Sequence, residues 1–361
     1  MRGKLERQAS MLTLIGPEQR VPRDHPIRRI KLLADRELQR LSPVFESMYS
    51  GTGRPSIPPE IILKACLLIA LFSIRSERQF CERLDYDLMF RFFLDMGMTE
   101  ESFDASTFSK NKERLIRADV ARLFFEGVVR QAKEAKLISA EHFTVDGTLI
   151  EAWASMKSFK KKGAKDNEPP DDPGNPTIDF HGEKRANATH ESSTDPDARL
   201  ARKGAGKEAK LALSGHVLME NRNGLCIDIS ISHADGTAER REALRMLQRQ
   251  KRKGFSPATL GADKGYDTAD LVHDVFVEGV VPHVARKRKH SNVDARQARQ
   301  IGYRHSQRCR KKVEEIFGWM KTVGGLRKTR YRGVERTQLC AYFTGAAYNL
   351  LRLSRLLGSA A

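Results

Sequence analysis

Three carboxylates stand where chemistry on a phosphodiester is feasible. Asp146 follows the strand-like run EHFTV and precedes Gly147, Asp263 closes the short apolar run ATLGA, and Glu314 lies in CRKKVEEIFGWMK, Cys309 to Lys321. On a helix at about 100° per residue, Val313, Ile316, Phe317 and Met320 share an apolar stripe, while Arg310, Glu314 and Lys321 line an adjacent polar one. Glu315 points roughly opposite, so the two neighbouring glutamates are not equivalent. Taken singly, an amphipathic helix with a solvated face reads the same way, and an Asp after a strand is usually a turn former or helix cap. Asp267 is expected to be such a cap, for the helix from Thr268. Taken jointly, three hard oxygen ligands suit two divalent ions, Mg²⁺ or Mn²⁺, about 3.5–4 Å apart, one activating an attacking oxygen and the other stabilising the leaving one.

The elements that must position these residues follow from periodicity. Residues 1–55 read as a polar arm with a short helix around Arg36 to Met48. Residues 56–138 read as a helical DNA-binding or dimerisation domain: Pro58 and Pro59 suit a helix start, Ser76 with Gln79 makes a capping-box signal, a further helix starts from Asp104 with Asp or Ser at its cap, and Leu123, Phe124, Val128 and Val129 mark a buried face. From residue 139 to 357 the pattern is α/β. A strand ends at Asp146, a polar insertion poor in large apolar residues spans 157–209 and is expected to be flexible, and a hairpin turns at NRNG before Leu225, Ile227, Ile229 and Ile231 alternate. A basic helix over Ala238 to Arg252, a strand ending at Asp263, a short strand in GVVPHVA and two more helices complete the order. That is the order of an RNase H-like layer, a mixed sheet flanked by helices, in which ligands gather at the ends of central strands.

Charge narrows the partner. Lys+Arg 64 against Asp+Glu 46 gives a formal +18, and Arg286 to Arg332 holds 16 Lys/Arg against 3 Asp/Glu, so most of the excess surrounds the Glu314 helix. A basic strip around a carboxylate suits double-stranded DNA. The longest apolar run, Ala65 to Phe72, falls far short of the roughly 20 residues that span a bilayer and no membrane partner is expected. The opening MRGKLERQAS has no apolar signal core, and the five cysteines show no metal or disulfide spacing, which fits a reducing cytoplasm. Burial in the core is the expectation for Trp153 and Trp319, ahead of base stacking.

FTVDGT, GADKGYD and RKKVEEIFGWMK together resemble the DDE transposases of bacterial insertion sequences, in particular the insertion sequence 4/5 group, and GRPSIPPEIILKACLLIALFSIRSERQFCERLDYDLMFRFF with DASTFSKNKERL resembles the InsH-type N-terminal module. The resemblance implies that Asp146, Asp263 and Glu314 hold the metal and do the chemistry, and that Arg310 and Lys321, matching a Y-x2-R-x3-E-x6-K signature, hold terminal phosphates. Gln307 stands where that signature has Tyr. The implied function is binding of an element's inverted-repeat ends, metal-dependent strand cleavage and transfer to target DNA, by a homodimer acting on the bacterial nucleoid. A nuclease that never joins ends and a silent DNA-binding regulator are the alternatives. Arg286, Lys287, Arg288, Lys289, Arg308, Lys311, Lys312, Arg327, Lys328 and Arg330 are the further candidates for backbone contacts, which are salt-dependent and sequence-blind.

Overall fold

The computed structural model describes residues 15–53, 55–163, 185–203 and 207–358. The opening MRGKLERQAS and the middle of the polar insertion lie outside the described residues.

Among the described residues eight helices come first: α1 Pro17–Arg20, α2 Pro26–Arg40, α3 Ser42–Ser47, α4 Pro59–Leu71, α5 Glu77–Leu84, α6 Leu88–Leu94, α7 Ala105–Arg117 and α8 Val120–Glu134. The 1–55 stretch differs from a polar arm. Ile27, Ile30, Leu33, Ala34 and Leu38 of α2 recur on one face and are buried, so the helix starts ten residues before the expected Arg36. His25 accepts from Ile27 N at 3.1 Å and Pro26 sets the first turn, signals that the surrounding charged residues mask. Asp104 caps α7 through Ser106 N at 2.8 Å and Thr107 N at 3.0 Å. Ser76 caps α5 at Gln79 N, but Gln79 Oε1 bonds Arg75 N rather than closing the box on Ser76.

The α/β part runs β1 His142–Glu151, β2 Phe159–Lys161, β3 His190–Ser192, β4 Arg199–Ala201, β5 Lys210–Glu220, β6 Leu225–His233, α9 Ala238–Arg252, β7 Thr259–Ala262, α10 Ala269–Val277, β8 Val281–Val284, α11 Ala295–Arg299, α12 Ile301–Cys309, a 3₁₀ turn Arg310–Lys312, α13 Val313–Thr322 and α14 Val334–Leu356. The hairpin turns where Gly224 takes φ +67°, a left-handed value that favours glycine. β5 pairs antiparallel with both β1 and β6, whereas β1, β7 and β8 run parallel, giving the sheet order β6-β5-β1-β7-β8 of an RNase H-like layer. Ala212 pairs with Glu151 on one side and Arg199 on the other, so β4 prolongs the β6 edge. Pro282, which lacks an N–H, is tolerated because β8 is the opposite edge.

Both faces of the sheet are covered. α9 packs against β5 and β6 on one side, and α14 with α8 on the other, so β5 is buried from Leu211 onward. α14 also packs on α2 and α4, joining the helical block to the sheet, and Leu339, Phe343, Ala346, Leu350 and Leu353 form its buried stripe. Its Asn349 bonds both Cys226 N (2.9 Å) and Cys226 O (2.8 Å), and its Gln338 bonds Ile231 N (2.6 Å) and Ile229 O (3.1 Å).

Two expectations need correction. The insertion is not structureless at its ends: β2 pairs with β3, β4 joins the main sheet, and Phe159, Ala198 and Leu211 share a small core with Ala152 and Ala154. These strands are three residues long and polar outside, so no periodicity reveals them. Asp146 does not end a strand either. β1 continues to Glu151 because β5 supplies partners throughout, with Gly147 opposite His216.

Candidate active site

The register of the parallel pair brings the two aspartates level. The last β1–β7 pair is Thr144 with Gly261, and Asp146 and Asp263 each lie two residues farther on, where β7 has ended and β1 has lost that neighbour. Asp263 opens a 3₁₀ turn, Lys264–Tyr266, and accepts from Gly265 N at 2.7 Å. Asp146 accepts from Gly147 N at 2.8 Å. Burial lifts the Asp146 carboxyl to about 6, with Asp263 and Glu314 adding repulsion and Arg310 opposing it.

Glu314 and Arg310 therefore lie near enough to act on the charge of Asp146, one on each side of the junction of the 3₁₀ turn and α13. The segment from Cys309 to Lys321 is thus two helical pieces joined by a tighter turn, yet the apolar stripe holds, since Val313, Ile316, Phe317 and Met320 are all buried. Glu315 turns to α14 and pairs with Arg352 at 3.5 Å. Arg310 Nε is buried without a hydrogen-bond partner among the described residues. Lys321 Nζ donates to Thr148 Oγ1 at 2.5 Å on β1, and burial lowers its pKa, with Lys203 and Arg327 as the neighbouring cations.

Among the described residues no three His, Cys, Asp or Glu side chains lie close enough to hold a metal ion. The donor chemistry nonetheless fits a hard divalent cation. Asp146 is raised first by burial and then by Asp263 and Glu314 nearby, and Glu314 itself is exposed on α13.

The other basic candidates divide by what they touch. Lys287 Nζ bonds the Asp267 carbonyl at 2.5 Å, Lys312 Nζ bonds the Asn221 carbonyl at 2.8 Å, Lys328 meets Glu151 at 3.5 Å, and Arg330 Nη1 bonds the Ile74 carbonyl at 2.7 Å. These four brace loops. Arg286, Arg288, Lys289, Arg308, Lys311 and Arg327 are exposed. Arg327 also joins the end of β1, its carbonyl accepting from Glu151 N at 3.1 Å, which sets it beside Lys321. Gln307 Nε2 donates to the His283 carbonyl, so it braces β8 instead of facing the site.

Asp267 is not the helix cap that its position suggests. Fully buried, it accepts from Lys287 N and Asn292 N, both at 2.8 Å, and so folds the basic 286–292 loop back on the residues that follow Asp263. Trp319 is half-buried and meets Tyr348 edge-on at 5.7 Å, whereas Trp153 is 51% exposed, against the expectation of a core position.

Two residues near the aspartates escape the sequence reading. Glu239, in the first turn of α9, is raised by desolvation and then by Asp146 and Asp263, and the buried Tyr266 is raised by burial and then by the same three carboxylates. The only local signal for Glu239 is an acid opening a helix directly after a strand.

Residues 16–114 match a transposase domain family (DUF772), and residues 178–350 match the transposase DDE domain family, a span that includes Asp263 and Glu314 but not Asp146. No curated protein matches the chain. Among solved structures, a piggyBac transposase synaptic complex with hairpin DNA is similar at TM-score 0.40 and 11% identity, covering 91% of this chain and 72% of that one. The Mos1 strand transfer complex is similar at TM-score 0.26 and 9% identity, covering 85% and 79%. Among the described residues no helix is long and apolar enough to cross a membrane.

Proposed function

Because the chain belongs to the DDE transposases of insertion-sequence type, we propose that it binds the inverted-repeat ends of its own element, cleaves a strand to free a 3′-hydroxyl and joins that hydroxyl to target DNA. The family is generally dependent on divalent metal ions. The finer reading is two ions, Mg²⁺ or Mn²⁺, held by Asp146, Asp263 and Glu314. When bound they would activate the attacking oxygen and stabilise the leaving one. The FTVDGT and GADKGYD motifs favour the insertion sequence 4/5 group within the family.

The observation that carries the reading is the shared level of Asp146 and Asp263, with Glu314 and Arg310 within electrostatic reach of Asp146. The protein's own residues divide the remaining work. Arg310 Nε has no protein partner among the described residues and Lys321 has only a neutral hydroxyl, so both cations retain capacity for phosphate oxygens. Exposed Arg286, Arg288, Lys289, Arg308, Lys311 and Arg327 extend that capacity along the backbone of a duplex. Joining two ends to one target calls for two copies of the chain, working on the bacterial nucleoid.

A strand-cleavage assay on a labelled end, with a target plasmid present, tests this. The wild type should yield a joined product in Mg²⁺, and Asp263→Ala should lose cleavage while retaining the end. Cleavage without joining would favour a stand-alone nuclease, and undiminished cleavage by Asp263→Ala would sink the site.

A further inference from the structure

The level shared by Asp146 and Asp263 extends to a third strand. In the β7–β8 register Ala262 pairs with Val284, and Ala285 N donates to the Ala262 carbonyl at 2.9 Å, so Ala285 stands level with Asp263 as Asp146 does on the other side. Neighbouring strands lie about 4.8 Å apart. The basic run Arg286 to Lys289 therefore begins one strand away from Asp263 and one residue past its level, on the edge of the sheet.

Four consecutive cations repel one another and favour a loop spread into solvent. Asp267 opposes that. It has no exposed surface, and its two carboxylate oxygens divide between the two ends of the loop: Oδ2 accepts from Lys287 N and Oδ1 from Asn292 N, both at 2.8 Å. Its carbonyl accepts from Lys287 Nζ at 2.5 Å. A turn former or helix cap bonds its own neighbours two or three residues on, whereas Asp267 reaches partners 20 and 25 residues along the chain. Hydrogen bonds to a charged acceptor are roughly twice as strong as neutral ones. With Lys287 held inward by its N–H and its ammonium, Arg286, Arg288 and Lys289 are exposed. Only the 3₁₀ turn Lys264–Tyr266 separates Asp263 from Asp267, so the proposed catalytic carboxyl and the anchor of the basic loop share one short segment.

We propose that Asp267 is a positioning residue for strand cleavage and transfer: it pins the 286–292 loop at the level of Asp146 and Asp263, so that Arg286, Arg288 and Lys289 grip DNA phosphates beside the one attacked. The inference rests on the proposed function, which supplies the DNA.

Binding of a labelled element end to the full chain, measured across a salt series, tests the anchor. Asp267→Asn keeps the shape but offers one acceptor oxygen in place of two, and the slope of log K against log salt should fall in magnitude by about 2–3, as for three lost phosphate contacts. In a chain that carries Arg286→Gln, Arg288→Gln and Lys289→Gln together, adding Asp267→Asn should cause no further loss, because the loop it positions no longer holds DNA. A carboxylate that served the fold alone would weaken both chains alike. Lys287→Met, at an exposed position, decides the case should Asp267→Asn not fold: it removes one cation, yet should lower the slope by more than about one, since it also frees the loop. Additive losses in the combined variant, or a slope lowered by no more than about one in Lys287→Met, would overturn the anchor and leave the proposed function standing. A wild-type chain whose end binding is absent or insensitive to salt would overturn the proposed function and the anchor with it.

Discussion

Lys321 Nζ donates to Thr148 Oγ1 at 2.5 Å, fastening α13 to β1 two residues beyond Asp146. The lysine is half-buried beside Lys203 and Arg327, and its one hydrogen-bond partner among the described residues is neutral. A desolvated cation so placed is completed by an anion. Lys321→Met should weaken end binding and reduce the salt dependence by about one released counterion. Thr148→Val, which removes only the neutral acceptor, should leave that slope unchanged. Filter binding across a salt series checks both.

The carboxylates give a second expectation. Asp146→Asn and Glu314→Gln should each lower strand cleavage at least about 100-fold while end binding is kept. Glu315→Gln, which breaks only the pair with Arg352, should cleave within a few-fold of the wild type. Single-turnover cleavage with matched binding measurements distinguishes them.

A third expectation concerns the helical block. Lys64 is 1% exposed and bonds Asp35 Oδ1 at 2.6 Å and Asp95 Oδ2 at 2.5 Å, with Lys31 as the second cation between the same aspartates. Removing Lys64 leaves two carboxylates to one buried cation. Lys64→Met should cost about 3–5 kcal/mol in urea unfolding. Adding Asp95→Asn should recover part of it, because Asn tolerates the left-handed φ of 59° at that position and carries no charge.

The pH dependence of stability follows from His216. Burial lowers its pKa from 6.5 to about 4, and its Nε2 bonds Ser232 Oγ at 2.9 Å. The unfolded chain takes up this proton as pH falls through 6.5, while the folded chain resists until about 4. The stabilisation is therefore whole above pH 6.5 and lost on acidification toward pH 4, by roughly 3 kcal/mol. Calorimetric Tm values should fall across that window, and His216→Gln should flatten the fall.

What the chain discloses before folding depends on whether a pattern is local. The hairpin and the stripe of α13 are legible because alternation or a repeat of three and four runs through them, and β7 because it is a short apolar run closed by Asp263. Asp146, Asp263 and Glu314 stand out in the sequence because Gly147 and Gly265 closely follow the two aspartates and Glu314 lies next to the apolar stripe of its helix. Gly147 misleads, since a glycine reads as a strand end when it is making room for Glu239. Asp267 misleads likewise, because its partners Lys287 and Asn292 come a further element along the chain. Glu239 is invisible because nothing in AERREALR separates an acid that packs on Gly147 from one that offsets an arginine.

The side chains of Asn349 and Gln338 occupy the outer backbone groups of β6, so α14 does for this edge what a further strand would otherwise do. Every other described element precedes α14 in the chain. During synthesis, then, the catalytic sheet leaves the ribosome with one ladder of donors and acceptors open, and the helical block finished long before lacks the partner that joins it to the sheet. A ribosome stalled before residue 334 would present neither a sealed sheet nor an assembled protein, but a sticky strand free to pair with its neighbours.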